Sequence, residues 1–423
     1  MGWSDPGYQG SDYHLTPRID ALAREGMVFT AAYANAPNCA PSRACILSGQ
    51  YPPRHGIYTV GSPARGQKDK RRLIPIPNRR TLPSEVVTLA ETLQSAGYRT
   101  AHVGKWHLGP DPRTQGFDLN VGGNQAGHPK RYVSPYANPD LKDGPAGEYL
   151  TDRLTQEATR FIDACEDQPF FLHLAHYAVH TPIQPKPADA EAYRDRAKGT
   201  RHQNLDYAAM VTGVDRSLGV LLDHLEARKL SRRTVVVFFS DNGGVARITS
   251  NAPLRGGKGM LYEGGLREPL IVRWPGHTKP GTRCDIPVIG TDFYPTFARI
   301  AQAALPTEQP LDGVDLVSLL EGEPSEAIEA RTLFWHFPAY LEAGRGRFRT
   351  TPAAALRQGR WKLIEYFEDG RLELFDLDHD LGETQDLAAE QPERVKTLHE
   401  EMRRWRKDIK APVPTEKNPD YRP

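Results

Sequence analysis

With 423 residues, 39% hydrophobic and 25% charged, the chain has the make-up of an ordinary folded protein with room for one large domain and a small one. Its 54 basic and 53 acidic residues leave a formal charge of +1, so there is no global cationic surplus to neutralise nucleic-acid phosphates. No apolar run is long enough to span a bilayer, and the four cysteines (Cys39, Cys45, Cys165 and Cys284) show neither a close-spaced metal pattern nor a disulfide framework.

The first residues, Met1 to Tyr8, are turn-like and do not read as a strand or a signal peptide. Thr16-Pro17 predicts a helix start, with a hydroxyl N-cap, Ile19, Leu22 and Ala23 on one face, and Gly26 as the stop. Met27-Val28-Phe29 reads as a strand. Asn38 to Gly49 then predicts a polar turn opening into a short helix, with Pro41 in its first turn and Gly49 ending it. Cys39 falls at that helix N-terminus, where free N–H groups favour negative charge, and Arg43 lies about one turn on. A polarisable group beside a cation at a helix start suits an anionic substrate.

Pro52 to Pro83 lacks periodicity and reads as loop, and Lys68–Arg72 within it as a solvated charge run. Ser84 to Ala96 predicts a helix with Val86, Leu89, Ala90 and Leu93 inward. Gly97 to Gly109 reads as a strand running into a glycine-flanked turn that carries Lys105 and His107. Their spacing of two puts both on one side of an extended backbone. Residues 109–149 are loop-rich, and Thr151–Glu166 is helical. Phe170–Ala175 is a nearly continuous apolar run that fits a strand buried on both faces, delivering His176, Tyr177 and His180-Thr181-Pro182 beyond its end. His173 and His176 read as core or supporting residues.

A long amphipathic helix is expected from Asn204 to Lys229, followed by a buried strand, Thr234–Phe239. Ser240-Asp241-Asn242-Gly243-Gly244 caps it, and the carboxyl end of such a strand is where α/β sheets bind ligands. Gly256-Gly257-Lys258-Gly259 lacks the Ser/Thr and glycine spacing of a phosphate loop. Leu270–Val272 and Pro287–Ile289 are further strands, and Thr291–Thr296 starts a helix. Beyond Glu326 the pattern changes. Trp361–Tyr366 and Leu372–Leu377 alternate about Asp369-Gly370, a hairpin signal, and Pro392–Asp408 is a closing helix that carries the basic run Arg403–Lys407.

Four strings together resemble the sulfatases of the alkaline-phosphatase superfamily: Cys39-Ala40-Pro41-Ser42-Arg43 with Ser48-Gly49, Gly97 to Gly109, Ser240 to Gly244, and Pro253 to Pro269. The resemblance implies an α/β fold with a large mixed, mostly parallel sheet sandwiched by helices over residues 1–325, and a small antiparallel α+β subdomain over 326–423. It implies a sulfuric ester hydrolase in which Cys39 is oxidised by a formylglycine-generating enzyme and its hydrate attacks the sulfur of a sulfated carbohydrate or aryl sulfate. Lys105, Lys258 and Arg43 would hold the sulfate site. His180 would assist departure of the alcohol, and His107 would contact the formylglycine hydroxyls and help release sulfate. Asp241 and Asn242, with modified Cys39, would face a divalent cation, calcium or magnesium in its place. A periplasmic or secreted protein is expected.

In that family a strand ending in two adjacent aspartates precedes a segment like Gly2-Trp3-Ser4-Asp5, so the resemblance implies that Met1 follows such a strand. Two further readings stay open from the residues. One is a phosphonate or phosphate ester hydrolase of the same superfamily. The other is a protein that only binds sulfated glycans, since Asp241 and Asn242 alone fall short of calcium's six to eight oxygens.

Overall fold

The computed structural model describes residues 1–423 except 324, 345 and 423. Eight strands belong to the N-terminal three quarters: Met27–Tyr33 (β1), Arg99–Gly104 (β2), Leu119–Val121 (β3), Phe170–Ala175 (β4), Val236–Phe239 (β5), Arg267–Arg273 (β6), Thr282–Cys284 (β7) and Val288–Ile289 (β8). One sheet runs β5-β6-β1-β7, with β8 also on β1; β6 is antiparallel to both its neighbours, and β7 and β8 are parallel to β1. A second sheet, β3-β2-β4, is wholly parallel. Four of these six pairings are parallel, as expected of strands joined by crossover helices.

Alternation along β1 and β6 sorts their side chains onto two faces. Phe29, Leu270 and Val272 pack with Phe293, Leu316 and Leu320 on one side. Val28 and Ile271 meet Ile19, Leu22 and Leu222 on the other. Each such buried side chain contributes roughly 1.5–3 kcal/mol. The helices Pro17–Glu25 and Leu205–Ala227 therefore cover one face, and Phe293–Ile300 the other.

The C-terminal part is an antiparallel sheet of Thr332–Phe337 (β9), Ala353–Gln358 (β12), Trp361–Tyr366 (β13) and Leu372–Asp376 (β14), in the order β14-β13-β12-β9. Between β9 and β12 lies the hairpin Leu341–Gly344 (β10) and Arg347–Thr350 (β11). The closing helix Pro392–Asp408 packs on this sheet through Leu398 and Met402, in a core that also takes in Tyr33 and Leu266.

Three local expectations are corrected. The helix expected from Ser84 begins at Leu89, because Thr88 and Glu91 form a reciprocal capping box that fixes its first turn there. Thr16 precedes its helix but does not cap it, since its hydroxyl accepts instead from Gly7 N–H at 2.8 Å. Strands β4 and β5 are half-buried rather than sealed on both faces. Each has one hydrogen-bonded neighbour among the described residues, β2 and β6 respectively, and the other edge of each lines a common cavity.

Candidate active site

The cavity has a volume of about 1580 Å³. It takes in Cys39, Arg43, Lys105, His107, His180, Asp241, Asn242 and Lys258, so every site residue expected from the sequence lines one space. Five different local structures deliver them.

Cys39 is the first residue of the helix Cys39–Ser48, after an extended Asn38, and Gly49 ends the helix at φ 67°, where its N–H donates to Cys45 O. Arg43 follows one turn later on the same helix. Strand β2 ends at Gly104, with φ 106°, where a Cβ would strike Ala175 O at 2.1 Å, so only glycine lets β2 and β4 close here. The Lys105 N–H then donates to that same carbonyl at 2.7 Å, aiming Lys105 off the strand end. His107 does not continue an extended backbone, contrary to the spacing argument: its φ is 67°. Trp106 is buried in the core with Leu47 and Phe117, and the left-handed residue turns the chain back so that His107 N–H reaches Asn124 O at 2.9 Å. A non-glycine residue in this region stores strain of order 1–3 kcal/mol, a cost characteristic of functional positions.

The charges are tightly interlocked. Lys258 Nζ donates to Cys39 Sγ at 3.0 Å. Arg43 Nε donates to Asp241 Oδ2 at 2.7 Å and its Nη1 to Lys105 O at 2.6 Å, while Lys105 Nζ lies 3.7 Å from the same Asp241 oxygen. Burial alone would push the Cys39 thiol up, but the Lys105 and Lys258 ammonium groups and a hydrogen bond from His107 hold it well below the usual thiol range. Burial acts against the charge of Asp241 too, and Arg43, Lys105 and Lys258 hold its carboxyl well below the usual carboxylate range. Three cations face one carboxylate, which leaves net positive charge for an incoming anion. Burial, with repulsion from Lys258 and Lys105, lowers His180 to about 4, and its Nδ1 lies 3.0 Å from Thr181 O.

His173 and His176 are partly buried and line the same cavity. His102 Nδ1 and His173 Nδ1 are 3.1 Å apart within an aromatic cluster, and His176 Nε2 is 2.8 Å from Ser217 Oγ. Sequence reasoning missed His128, whose ring stacks on His180 with centroids 5.9 Å apart. It also missed Glu268, whose buried carboxyl oxygens both lack a close hydrogen-bond partner among the described residues. Burial and the proximity of Asp241 push Glu268 well above the usual carboxylate range. The only hint in the sequence was that 109–149 is loop-rich; Glu268 stood in the Pro253–Pro269 string without a role.

Asn242 Oδ1 is likewise buried without a hydrogen-bond partner among the described residues. Buried, unsatisfied carboxyl and amide oxygens around an ionised Asp241 are donors suited to a hard divalent cation. A thiol suits such an ion poorly, so Cys39 fits as a ligand only once its sulfur is exchanged for oxygen. Asp5, His14 and His202 bring ligand atoms within 4.8 Å of one another elsewhere. There the Asp5 carboxylate already accepts from Gly2 N–H, Tyr207 OH and Thr249 OH, each at 2.6 Å, a knot that pins the first turn of the chain.

The arrangement matches known proteins along most of its length. A family model described as "Sulfatase" matches residues 1–303, and one described as "N-sulphoglucosamine sulphohydrolase, C-terminal" matches 257–408. A sulfatase of Formosa agariphila is 33% identical, covering 98% of this chain and 88% of its own. The N-acetylgalactosamine-6-sulfatase of Homo sapiens is 33% identical over 76% of this chain and 64% of its own. Among solved structures, Ps i-CgsB in complex with k-i-k-neocarrahexaose superposes with a TM-score of 0.78 at 30% identity, covering 96% of this chain and 90% of that one.

Proposed function

The chain belongs to the sulfatase family and is a sulfuric ester hydrolase of the alkaline-phosphatase fold, and we propose that its substrate is a sulfated carbohydrate and its nucleophile a formylglycine hydrate made from Cys39. The observation that carries this reading is the position of Cys39. It stands at a helix N-terminus, 3.0 Å from Lys258 Nζ, at the floor of the cavity that Lys105, His107 and His180 also line. The relative named an N-acetylgalactosamine-6-sulfatase and the neighbour in complex with k-i-k-neocarrahexaose support a sugar as the alcohol part.

Each residue then has a physical task. Lys258 and Lys105 bind the sulfate oxygens, and Arg43 keeps Asp241 ionised and fixed. As the S–O bond breaks, charge moves to the leaving oxygen, and cations already in place stabilise it without reorganisation. His180, at the cavity wall, is the group to hand a proton to the departing alcohol. Burial and the Lys258 and Lys105 repulsion keep His180 neutral, and the sulfate's negative charge offsets the repulsion. His107 faces Cys39 and accepts the proton released there. When bound, a cation held by Asp241 and Asn242 would add Lewis-acid stabilisation at the same oxygens. A periplasmic or secreted site of action belongs to the same proposal, since a charged glycan does not cross a bilayer unaided; no helix among the described residues is long and apolar enough to span one.

The test is sulfate release from a panel of sulfated mono- and disaccharides, using protein co-expressed with a formylglycine-generating enzyme. Peptide mass over Cys39 is read in parallel. Release that tracks the fraction of converted Cys39 and is absent from Cys39→Ala supports the proposal. Faster turnover of phosphonate or phosphate esters in side-by-side kinetics would move the assignment to that class.

A further inference from the structure

Of the five arginines besides Arg43 that line the same cavity, three act on one another: Arg65, Arg247 and Arg349. They come from three separate segments, two loops and the strand β11, and each is hydrogen-bonded into the catalytic scaffold or the hairpin beside it. Residues 244–249 are tied to the catalytic lysine, because Lys258 N–H donates to Gly244 O at 2.9 Å. Arg349, on β11, points its Nη1 to within 3.4 Å of Lys258 O. Arg65 follows Ala64, which bridges Tyr340, and Tyr340 N–H donates to Pro63 O at 2.8 Å. Gly66 packs directly against the Phe348 ring, where a Cβ would lie 2.6 Å from Cε1.

These guanidinium groups repel one another. Arg349 is half-buried, and burial together with the nearby Arg247 and Arg65 disfavours its charge, with exposed Glu342 the acid that favours it. Among the described residues none of the three forms an ion pair. Folded proteins seldom gather three cations around one exposed acid unless a further anion completes the group, since each like-charge approach costs stability. The scissile sulfate does not complete it, because Lys105, Lys258 and Arg43 already serve that locus.

We propose that Arg65, Arg247 and Arg349 form a second anion subsite at the cavity mouth, so that the enzyme acts on a glycan carrying a second sulfate or a carboxylate besides the sulfate it removes. Planar guanidinium forks suit both groups through paired N–H donors. The inference rests on the sulfate-ester reading for where the scissile group sits, and it deepens that reading by naming the substrate class.

The experiment compares three disaccharides with one cleavable sulfate each: otherwise neutral, bearing a second sulfate, or bearing a uronate carboxylate. The expected result is a kcat/KM about ten- to a hundred-fold higher for one of the two dianionic substrates, expressed mainly in KM. Which one is preferred tells sulfate from carboxylate. Arg247→Ala and Arg349→Lys should each cut that preference about ten-fold, while the surface variant Arg404→Ala leaves it intact. Equal kcat/KM for all three, or variants that slow neutral and dianionic substrates alike, would overturn the inference. Calorimetric binding of the preferred disaccharide to Cys39→Ala, with and without Arg247→Ala, separates the two readings. Arginine-dependent affinity without hydrolysis by the converted enzyme would sink the sulfatase mechanism and keep the subsite; hydrolysis without arginine-dependent affinity would do the reverse.

Discussion

Lys258 Nζ and Cys39 Sγ are separated by 219 residues of chain and by 3.0 Å in space. An ammonium that close to a buried sulfur decides which protonation state the sulfur holds, because the ion pair gains what desolvation of the thiolate costs. Lys105 acts in the same direction, and Asp241 acts against both.

The first prediction concerns unconverted Cys39. Its thiol is held low, so the thiolate persists as pH falls through neutrality, and it is lost only below that lowered value. Alkylation by iodoacetamide should therefore keep its plateau rate well below the pH at which a free cysteine loses reactivity. Cys45 is pushed the other way by burial and should stay inert. Lys258→Met should move the Cys39 midpoint up. A Cys39 midpoint in the ordinary thiol range would refute the charge arrangement.

The same lysine should matter to turnover. Lys258→Ala is expected to lower kcat/KM for sulfate esters about 100- to 1000-fold, the usual effect of removing a preorganised donor from a site of developing charge. Lys258→Arg keeps the charge but widens the donor, and should recover part of the loss. Stability read by thermal melting should change little in either variant, since Lys258 faces the cavity.

How much of this was readable beforehand depends on how the chemistry is distributed along the chain. Cys39 and Arg43 lie four residues apart, and Lys105 and His107 two, so contiguous strings revealed them even though the His107 turn was drawn wrongly. Asp241-Asn242 was legible because a buried-looking strand ends in turn residues. Whether β4 and β5 are covered on both sides depends on neighbours across a sheet, which an apolar run does not specify. Arg65, Arg247 and Arg349 were invisible for a related reason: each is an ordinary loop arginine until the fold places it next to the others. The same holds for Lys362, an alternating position in a plain hairpin strand.

Lys362 supplies the third prediction. It is fully buried in β13, with Nζ 2.9 Å from Glu263 Oε1 and 2.8 Å from Glu383 Oε1. It therefore ties the C-terminal sheet to the short helix Glu263–Leu266, just beyond the Lys258 loop. Lys362→Met would leave two carboxyls buried with their main cation gone, and should cost about 3–5 kcal/mol in urea unfolding. A loss under about 1 kcal/mol would show that Arg267 and Arg357 already suffice for Glu263.

The last prediction is the sign of stability against pH. Burial lowers His55 and His173 to about 3 and His176, His180 and His336 to about 4, with His102 also held well down. The unfolded chain protonates these rings near 6.5 while the native state does not. Acidification from 6.5 toward 4 therefore favours unfolding, by up to about 1.4 kcal/mol per pH unit for each ring. Three buried carboxyls act the opposite way. Asp215 is raised to about 6, Glu383 to about 7 and Glu268 well up, so the native state takes up protons there in the same window. His14 and His107 are lowered by burial as well, so eight rings outnumber three carboxyls, and the net slope keeps the histidines' sign. Asp241 and Glu263 are held low and lose their contribution only at more acid pH, outside this window. Denaturant midpoints at pH 7.5, 6.5 and 5.5 should fall in that order, most steeply between the last two. His176→Gln, which can keep the bond to Ser217, should flatten the slope by about 1 kcal/mol per pH unit. A stability that rises from pH 6.5 to 5.5 would mean that the raised carboxyls, and not the buried rings, govern the titration.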